Sequence, residues 1–360
     1  MSDLPILQNV SLYDAAAVES LRRALALDPH LVHRLRTVLW KKFAGREAAL
    51  HELPPAAREV FAQHVEFHPL TLDVRLDSAE DGATKLVFRT AGDQRIESVL
   101  LRAGTGRTAL CISSQVGCAA NCDFCATGKM GFFANLSAGE MLDQIVQANE
   151  QIKDEGRTVR NIVLMGMGEP FHNEPAVYEV LDTLTDGRGF NHPASRILIS
   201  TVGIPDAMLR CGRRYPSVNL ALSLHSVRQE VRERIIPLAR KHPLDELRQA
   251  IVELNAIQPS TVMIEYLMLA GVNDSLEDAA ELVRYLDGLR VHVNLIPYNP
   301  IEGAPELKSS PREVSDLFAD HLKAAGLTTT IRYSMGADIE AACGQLVQQL
   351  ERKRRTTATQ

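Results

Sequence analysis

The chain has 360 residues, 45% hydrophobic and 23% charged, with a net charge of −6. This is the composition of an ordinary globular protein, long enough for one large domain and a smaller one. The acidic balance excludes nucleic-acid binding through overall charge, so any RNA contact must come from local patches. No apolar run approaches a membrane span, and Met1-Ser-Asp-Leu-Pro5 lacks the basic start of a secretory signal, so a cytoplasmic, membrane-free protein is expected.

Residues 1–68 read as a small helical unit. Val18, Leu21 and Leu25 recur at helical spacing from Asp14 to Leu27, and Val32, Leu35, Val38, Leu39 and Phe43 do so from Leu31 to Phe43. A third short helix begins at Leu53-Pro-Pro, where a missing N–H costs little. Basic residues concentrate here (Arg22-Arg23, Arg34, Arg36, Lys41-Lys42, Arg46), and RNA contact is expected from them.

Residues 69–104 change to short alternating runs, Leu70–Leu76, Thr84–Thr90 and Arg95–Leu101, separated by Asp81-Gly82 and Gly92-Asp93. That is an antiparallel β meander. Glu97 lies on its last strand, and the residues alone assign it no role.

From residue 105 to 347 strands and helices alternate. The apolar runs 108–113, 161–167, 197–202, 218–225, 261–269 and 291–298 are continuous, as in strands buried on both faces, and helical stretches such as Ser137–Gln151, Pro175–Thr185, Leu244–Leu254 and Leu276–Leu289 lie between them. Six βα units are too few for a closed eight-stranded barrel, so the expected fold is α/β, a partial (β/α)6 barrel. Residues 348–360 form a basic tail containing Arg352-Lys-Arg-Arg355, expected to be disordered.

The first of these strands leads into Cys118-Ala-Ala-Asn-Cys122-Asp-Phe-Cys125. Thiolates at this spacing suit three corners of an iron–sulfur cube, leaving one iron open to another ligand. A structural zinc site would need a fourth Cys or His nearby, and none lies close in sequence. Phe124 suits an aromatic packed beside such a cluster.

Ligands of parallel α/β proteins gather at the carboxyl ends of strands. There the chain places Gly166-Met-Gly168-Glu169-Pro170, Ser200-Thr201-Val-Gly203, Ser223-Leu224-His225-Ser226 and Tyr298-Asn299-Pro300. Together they suit a zwitterionic nucleoside. Gly168 admits close backbone approach, Glu169 suits an ammonium group, and Ser200, the Ser223-Leu224-His225 run and Asn299 suit ribose or adenine. Cys343 lies in the last motif, Asp338-Ile-Glu-Ala-Ala-Cys-Gly-Gln-Leu346, while Cys211 reads as a core thiol.

The cysteine triplet with its following Ala-Thr-Gly, the 165–170 motif, Asn299-Pro300 and the 338–346 motif closely resemble the RlmN/Cfr-type radical S-adenosylmethionine (SAM) RNA methyltransferases, over residues 95–347. The resemblance implies a radical-SAM barrel holding one [4Fe-4S] cluster on Cys118, Cys122 and Cys125, with two SAM molecules per turnover. It implies methylation of an adenine ring carbon in 23S rRNA, with tRNA as a second candidate, and a flavodoxin or ferredoxin as electron donor. Ring carbons C2 and C8 have no lone pair to attack the methyl group of SAM, which is why radical chemistry is needed. By the same resemblance Cys343 carries the methyl group, Cys111 releases the product through a transient disulfide, and Glu97 accepts a proton. On regiochemistry the motifs are mixed: Asn294-Leu-Ile-Pro-Tyr-Asn-Pro300 reads like C2 enzymes, whereas Leu224-His225-Ser226 and Ile331–Gly336 lean toward the C8 type. C2 is expected because it is the more widespread activity, and a monomer is expected. A radical-SAM enzyme of peptides or small molecules would not need the Cys111/Cys343 pair, and a non-catalytic RNA-binding or electron-transfer iron–sulfur protein would not need the strand-end nucleoside motifs.

Overall fold

The computed structural model describes residues 9–346, so the basic tail expected at 348–360 lies outside the described residues. Strand β1 (Val10–Ser11) opens the amino-terminal unit. Four helices follow, α1 (Ala15–Ala24), α2 (Pro29–Trp40), α3 (Gly45–Leu50) and α4 (Pro55–His64), and β2 (Val65–Glu66) pairs parallel with β1 to close the unit. Asp14 and Asp28 cap α1 and α2, their side chains accepting from the amides of Ala17 and His30. Helix α3 corrects the expectation of three helices; its six residues bury only Ala49 and Leu50, too little for a visible period. Much of the basic character is neutralised locally. Arg22 and Arg23 both pair with Glu19, Arg34 pairs with Glu52, and Arg36 lies over the Trp40 ring.

The meander forms as β3 (Thr71–Asp77), β4 (Ala83–Arg89) and β5 (Arg95–Arg102). It continues the main sheet, because β5 pairs antiparallel with β6 (Thr108–Cys111). A small hairpin, β7 (Gln115–Gly117) and β8 (Phe132–Asn135), brackets the cysteine loop and helix α5 (Ala126–Met130). Then α6 (Ala138–Ile152), β9 (Asn161–Leu164), α7 (Glu174–Thr185), β10 (Ile197–Thr201), α8 (Pro205–Arg214), β11 (Asn219–Ser223), α9 (Gln229–Ile235), α10 (Leu244–Ile257), β12 (Val262–Met268), α11 (Leu276–Leu286), β13 (Val291–Pro297), α12 (Arg312–Ala324) and β14 (Thr328–Ile331) complete the barrel.

The ten-stranded sheet runs β14-β13-β12-β11-β10-β9-β6-β5-β4-β3. Strands β6 and β9 to β14 are all parallel to their neighbours in that part of the sheet. Strand β14 adds a seventh parallel strand to the six expected. Its Thr-Thr-Thr-Ile sequence is polar and half exposed, so it lacks the continuous apolar run that marks the others. Strands β11, β12 and β13 are largely buried, whereas β9 and β10 alternate buried and partly buried residues; each fully buried Leu or Ile contributes about 1.5–3 kcal/mol. Cys211 lies in this core, fully buried.

One polar network docks the amino-terminal unit. The fully buried carboxylate of Asp143 on α6 accepts from Tyr13 Oη (3.0 Å), the Leu70 amide (3.0 Å) and Gln147 Nε2 (2.9 Å), and lies 2.7 Å from His68 Nδ1. Among the described residues no helix is long and apolar enough to cross a membrane.

Candidate active site

The cysteine loop is held at both ends. The Cys118 amide donates to the Gly131 carbonyl (2.9 Å), Asp123 N to Ile235 O (2.9 Å), and Lys129 pairs with Asp123 at 2.7 Å. Cys125 is the N-cap of α5. The three thiols line one cleft of about 950 Å³, on the rim formed by the carboxyl ends of the parallel strands. Burial pushes the Cys118 thiol up to about 12 and the Cys122 thiol well above its ordinary value. Burial also raises Cys125, against the amides of Gly128 and Thr127 and the Thr127 hydroxyl, which donate toward its sulfur; the Ala120 amide reaches Cys118 Sγ at 3.5 Å. Three soft donors, Cys118 and Cys122 buried and Cys125 half-buried, with N–H groups aimed at the sulfurs of Cys118 and Cys125, suit an iron–sulfur cluster.

Gly168, Glu169, Ser200, Ser223 and His225 line the same cleft. Gly168 has φ +103°, and a Cβ there would stand 2.6 Å from Gln115 Cβ and 2.9 Å from its amide nitrogen, so only glycine serves. The Glu169 carboxylate accepts from the amides of Phe171 (3.1 Å) and Val202 (2.8 Å); burial, only partly offset by those bonds, pushes its pKa up to about 7. Ser200 and Ser223 face each other with hydroxyls 3.4 Å apart. His225 Nδ1 accepts from the Leu267 amide (3.0 Å), which leaves its proton on Nε2, and burial first, then Arg232, depresses its pKa to about 3. It is a neutral ring held edge-on to Phe124 (centroids 4.9 Å apart).

Two further residues expected at the nucleoside, Leu224 and Asn299, do not themselves line this cleft, though Ser223, His225 and Tyr298 beside them do. Leu224 is fully buried in the core, its amide donating to Glu265 O and its carbonyl accepting from Arg232 Nε. Asn299 Nδ2 donates to Ser334 Oγ (2.9 Å) and the Cys343 carbonyl (3.4 Å), so it steadies the Cys343 loop.

Cys111 and Cys343 line a second cleft of about 730 Å³ with Val99, Val163, Arg332 and Tyr333. Cys125, Thr127, Met165, Gly166, Cys343 and Gly344 line both clefts, so Cys343 stands on their common wall. Cys111 is buried at the end of β6, opposite Val99, and burial foremost, with the Cys343 charge, pushes its thiol up to about 12, while Arg332 acts in the opposite sense. Cys111 and Cys343 are free thiols; no disulfide joins them. Glu97 lies two residues before Val99 and so on the same face of β5, buried and 3.8 Å from Lys85 Nζ.

The Cys343 loop is seated by the meander. The Asp338 carboxylate accepts from Ser78 Oγ (2.8 Å) and the Ala79 amide (3.0 Å), the Gly336 amide donates to Asp81 (2.8 Å), and Lys85 Nζ donates to Glu340 O (3.2 Å).

Two charged residues with no place in the sequence reading, Arg232 and Glu265, stand around these clefts, with Arg332, which entered it only as part of the 331–336 motif. Arg232 is fully buried and donates to the carbonyls of Leu224, Val202 and Ser223, tying β10 and β11 ends together. Glu265 lines the first cleft and Arg332 the second. The signal for Glu265 was present: a lone carboxylate inside the apolar run Val262–Met268 has to be used or neutralised.

The partial barrel, the buried triplet and the match of the Radical SAM superfamily model to residues 112–283 define the class: a radical-SAM enzyme. A protein of Rhodopirellula baltica named as a probable RNA methyltransferase is 54% identical over 96% of this chain and 90% of its own. A dual-specificity RNA methyltransferase RlmN of Pelobacter propionicus is 42% identical, covering 77% of this chain and 78% of its own. The crystal structure of a radical SAM methyltransferase from Sphaerobacter thermophilus superposes with a TM-score of 0.89 at 39% identity, covering 93% of this chain and 98% of that one. The chain belongs to the RlmN-type family of radical-SAM RNA methyltransferases and is a SAM-dependent RNA methyltransferase. Such enzymes carry a [4Fe-4S] cluster and SAM.

Proposed function

We propose that this protein methylates a ring carbon of adenine in 23S rRNA, C2 being the favoured position, with tRNA as a second substrate. The observation that carries the proposal is Cys343 on the wall shared by the triplet cleft and the Cys111 cleft. A thiol there can receive a methyl group from one side and present it to a base on the other. Cys118, Cys122 and Cys125 would hold the cluster, and Gly168, Glu169, Ser200, Ser223 and His225 would bind SAM. When bound, cluster and SAM supply the methyl group and the carbon-radical chemistry that an electron-poor ring carbon requires.

The chain's own residues do the rest. Cys343 bears the methyl carbon and thereby links covalently to the base. Glu97 takes the proton leaving the ring carbon. Cys111, once deprotonated, attacks the Cys343 sulfur; an S–S bond forms as the S–C bond breaks, its electron pair passes to the product, and the released carbon takes up a proton to complete the methyl group. The Arg332 cation favours the thiolate that this attack needs. The dual specificity in the names of several relatives supports a second RNA class. A monomer, reduced in turn by a flavodoxin- or ferredoxin-type donor in the cytoplasm, suits a chain whose six cysteines are all free.

Mass spectrometry of digested protein should find S-methyl on Cys343. Nucleosides from RNA treated with the enzyme should include 2-methyladenosine; 8-methyladenosine alone would overturn the C2 assignment, and an unmethylated Cys343 the route itself.

A further inference from the structure

Glu265 has no part in that reaction, yet its surroundings are built. Ser223, Glu265, Asn294 and Thr330 are register neighbours on four adjacent parallel strands, β11 to β14. Register neighbours face the same side of a sheet, so the four form one polar row across it. Ser200, 3.4 Å from Ser223 between hydroxyls, extends the row to β10.

The row orients the carboxylate. Thr330 Oγ1 donates to Asn294 Oδ1 (2.8 Å), which turns the amide nitrogen of Asn294 toward Glu265, where it donates to Oε2 (3.1 Å). The other oxygen, Oε1, is buried and meets no hydrogen-bond donor among the described residues, in a side chain whose residue is only 2% exposed. Burial raises the pKa of Glu265, and the Arg332 charge and the Asn294 hydrogen bond act against it. A buried carboxylate oxygen without a donor is unusual enough to require a partner, and Glu265 lines the first cleft beside Ser200 and Ser223.

We infer that Glu265 Oε1 accepts a hydrogen bond from a ribose hydroxyl of the SAM molecule bound in that cleft, with the Ser223 and Ser200 hydroxyls beside it. The inference rests on SAM occupying the first cleft, as proposed above. An acidic side chain is the usual reader of a ribose hydroxyl, because a carboxylate only accepts and a hydroxyl can donate. The ammonium group of the ligand is the less suited partner here, since Glu169 stands ready for it on the strand-end loop beside the thiols.

The test is calorimetric titration of the anaerobically reconstituted full-length protein with SAM and with its 2′,3′-dideoxy analogue. Unmodified protein should bind the analogue about tenfold more weakly than SAM, the loss of one charge-assisted hydrogen bond. Glu265→Gln should bind SAM about tenfold more weakly and the analogue no worse than unmodified protein does. Equal weakening of both ligands in the variant would make Glu265 a purely structural residue and overturn the inference. So would an unmodified protein that binds both ligands alike, a comparison that does not depend on the variant folding. Failure of unmodified protein to bind SAM at all would instead overturn the assignment of the first cleft.

Discussion

The amide of Ala126 donates to the carbonyl of Gly344 at 2.7 Å. The residue after the last cysteine of the triplet therefore carries the loop that holds Cys343. Gly344 has φ +86°, and a Cβ there would stand 3.2 Å from the Phe124 carbonyl, so the two loops close on each other through a glycine. Sequence positions 126 and 344 are joined at one hydrogen bond, and the two clefts meet there.

Replacing Cys118, Cys122 or Cys125 with Ala should remove the cluster and SAM cleavage together. Iron analysis after anaerobic reconstitution should find about four irons in unmodified protein and few in the variants. A variant that keeps its full iron complement would exclude its cysteine as a ligand.

Cys111→Ala should trap RNA on Cys343, because attachment needs one thiol and release needs two. A protein–RNA adduct stable in denaturing gels is the expected readout. Cys343→Ala should give no adduct. Normal turnover by the Cys111 variant would return that residue to the core.

Gly168→Ala should destabilise the protein by about 1–3 kcal/mol, because φ +103° strains any side chain. The added Cβ also collides with Gln115, whose side-chain oxygen accepts from the Glu169 amide (2.9 Å). SAM affinity, read by titration, should fall with the melting temperature; unchanged affinity would show that this backbone does not touch the ligand.

His68 makes stability depend on pH. Burial lowers its pKa, but the hydrogen bond and charge of Asp143 outweigh burial and hold it above the ordinary 6.5. The folded state therefore keeps this proton longer than the unfolded chain does. The contribution is complete below about pH 6.5 and disappears as pH rises through the raised value. Urea unfolding between about pH 5 and about pH 9 should show that slope, and His68→Gln should flatten it. Asp143→Ala should cost on the order of 3 kcal/mol, since it leaves buried donors from three segments without an acceptor.

The sequence by itself determined the local chemistry. The triplet spacing, the strand-end motifs and the continuous apolar runs marked a parallel α/β protein with thiol ligands, because periodicity and ligand spacing are short-range properties. It also marked Gly168, whose need for a positive φ belongs to its own turn. Tertiary structure alone decided what meets what. Cys111 and Cys343 are 232 positions apart in sequence, and only the docking of the last loop on the meander, through Asp338, Asp81 and Lys85, brings them to one cleft. Tertiary structure also buried the Leu224 side chain in the core and tied the Asn299 amide to the Cys343 loop. Glu265 entered the site through strand register, which places Ser223, Glu265 and Asn294 in one row. Register follows from packing among whole strands, and no single strand's residues encode it.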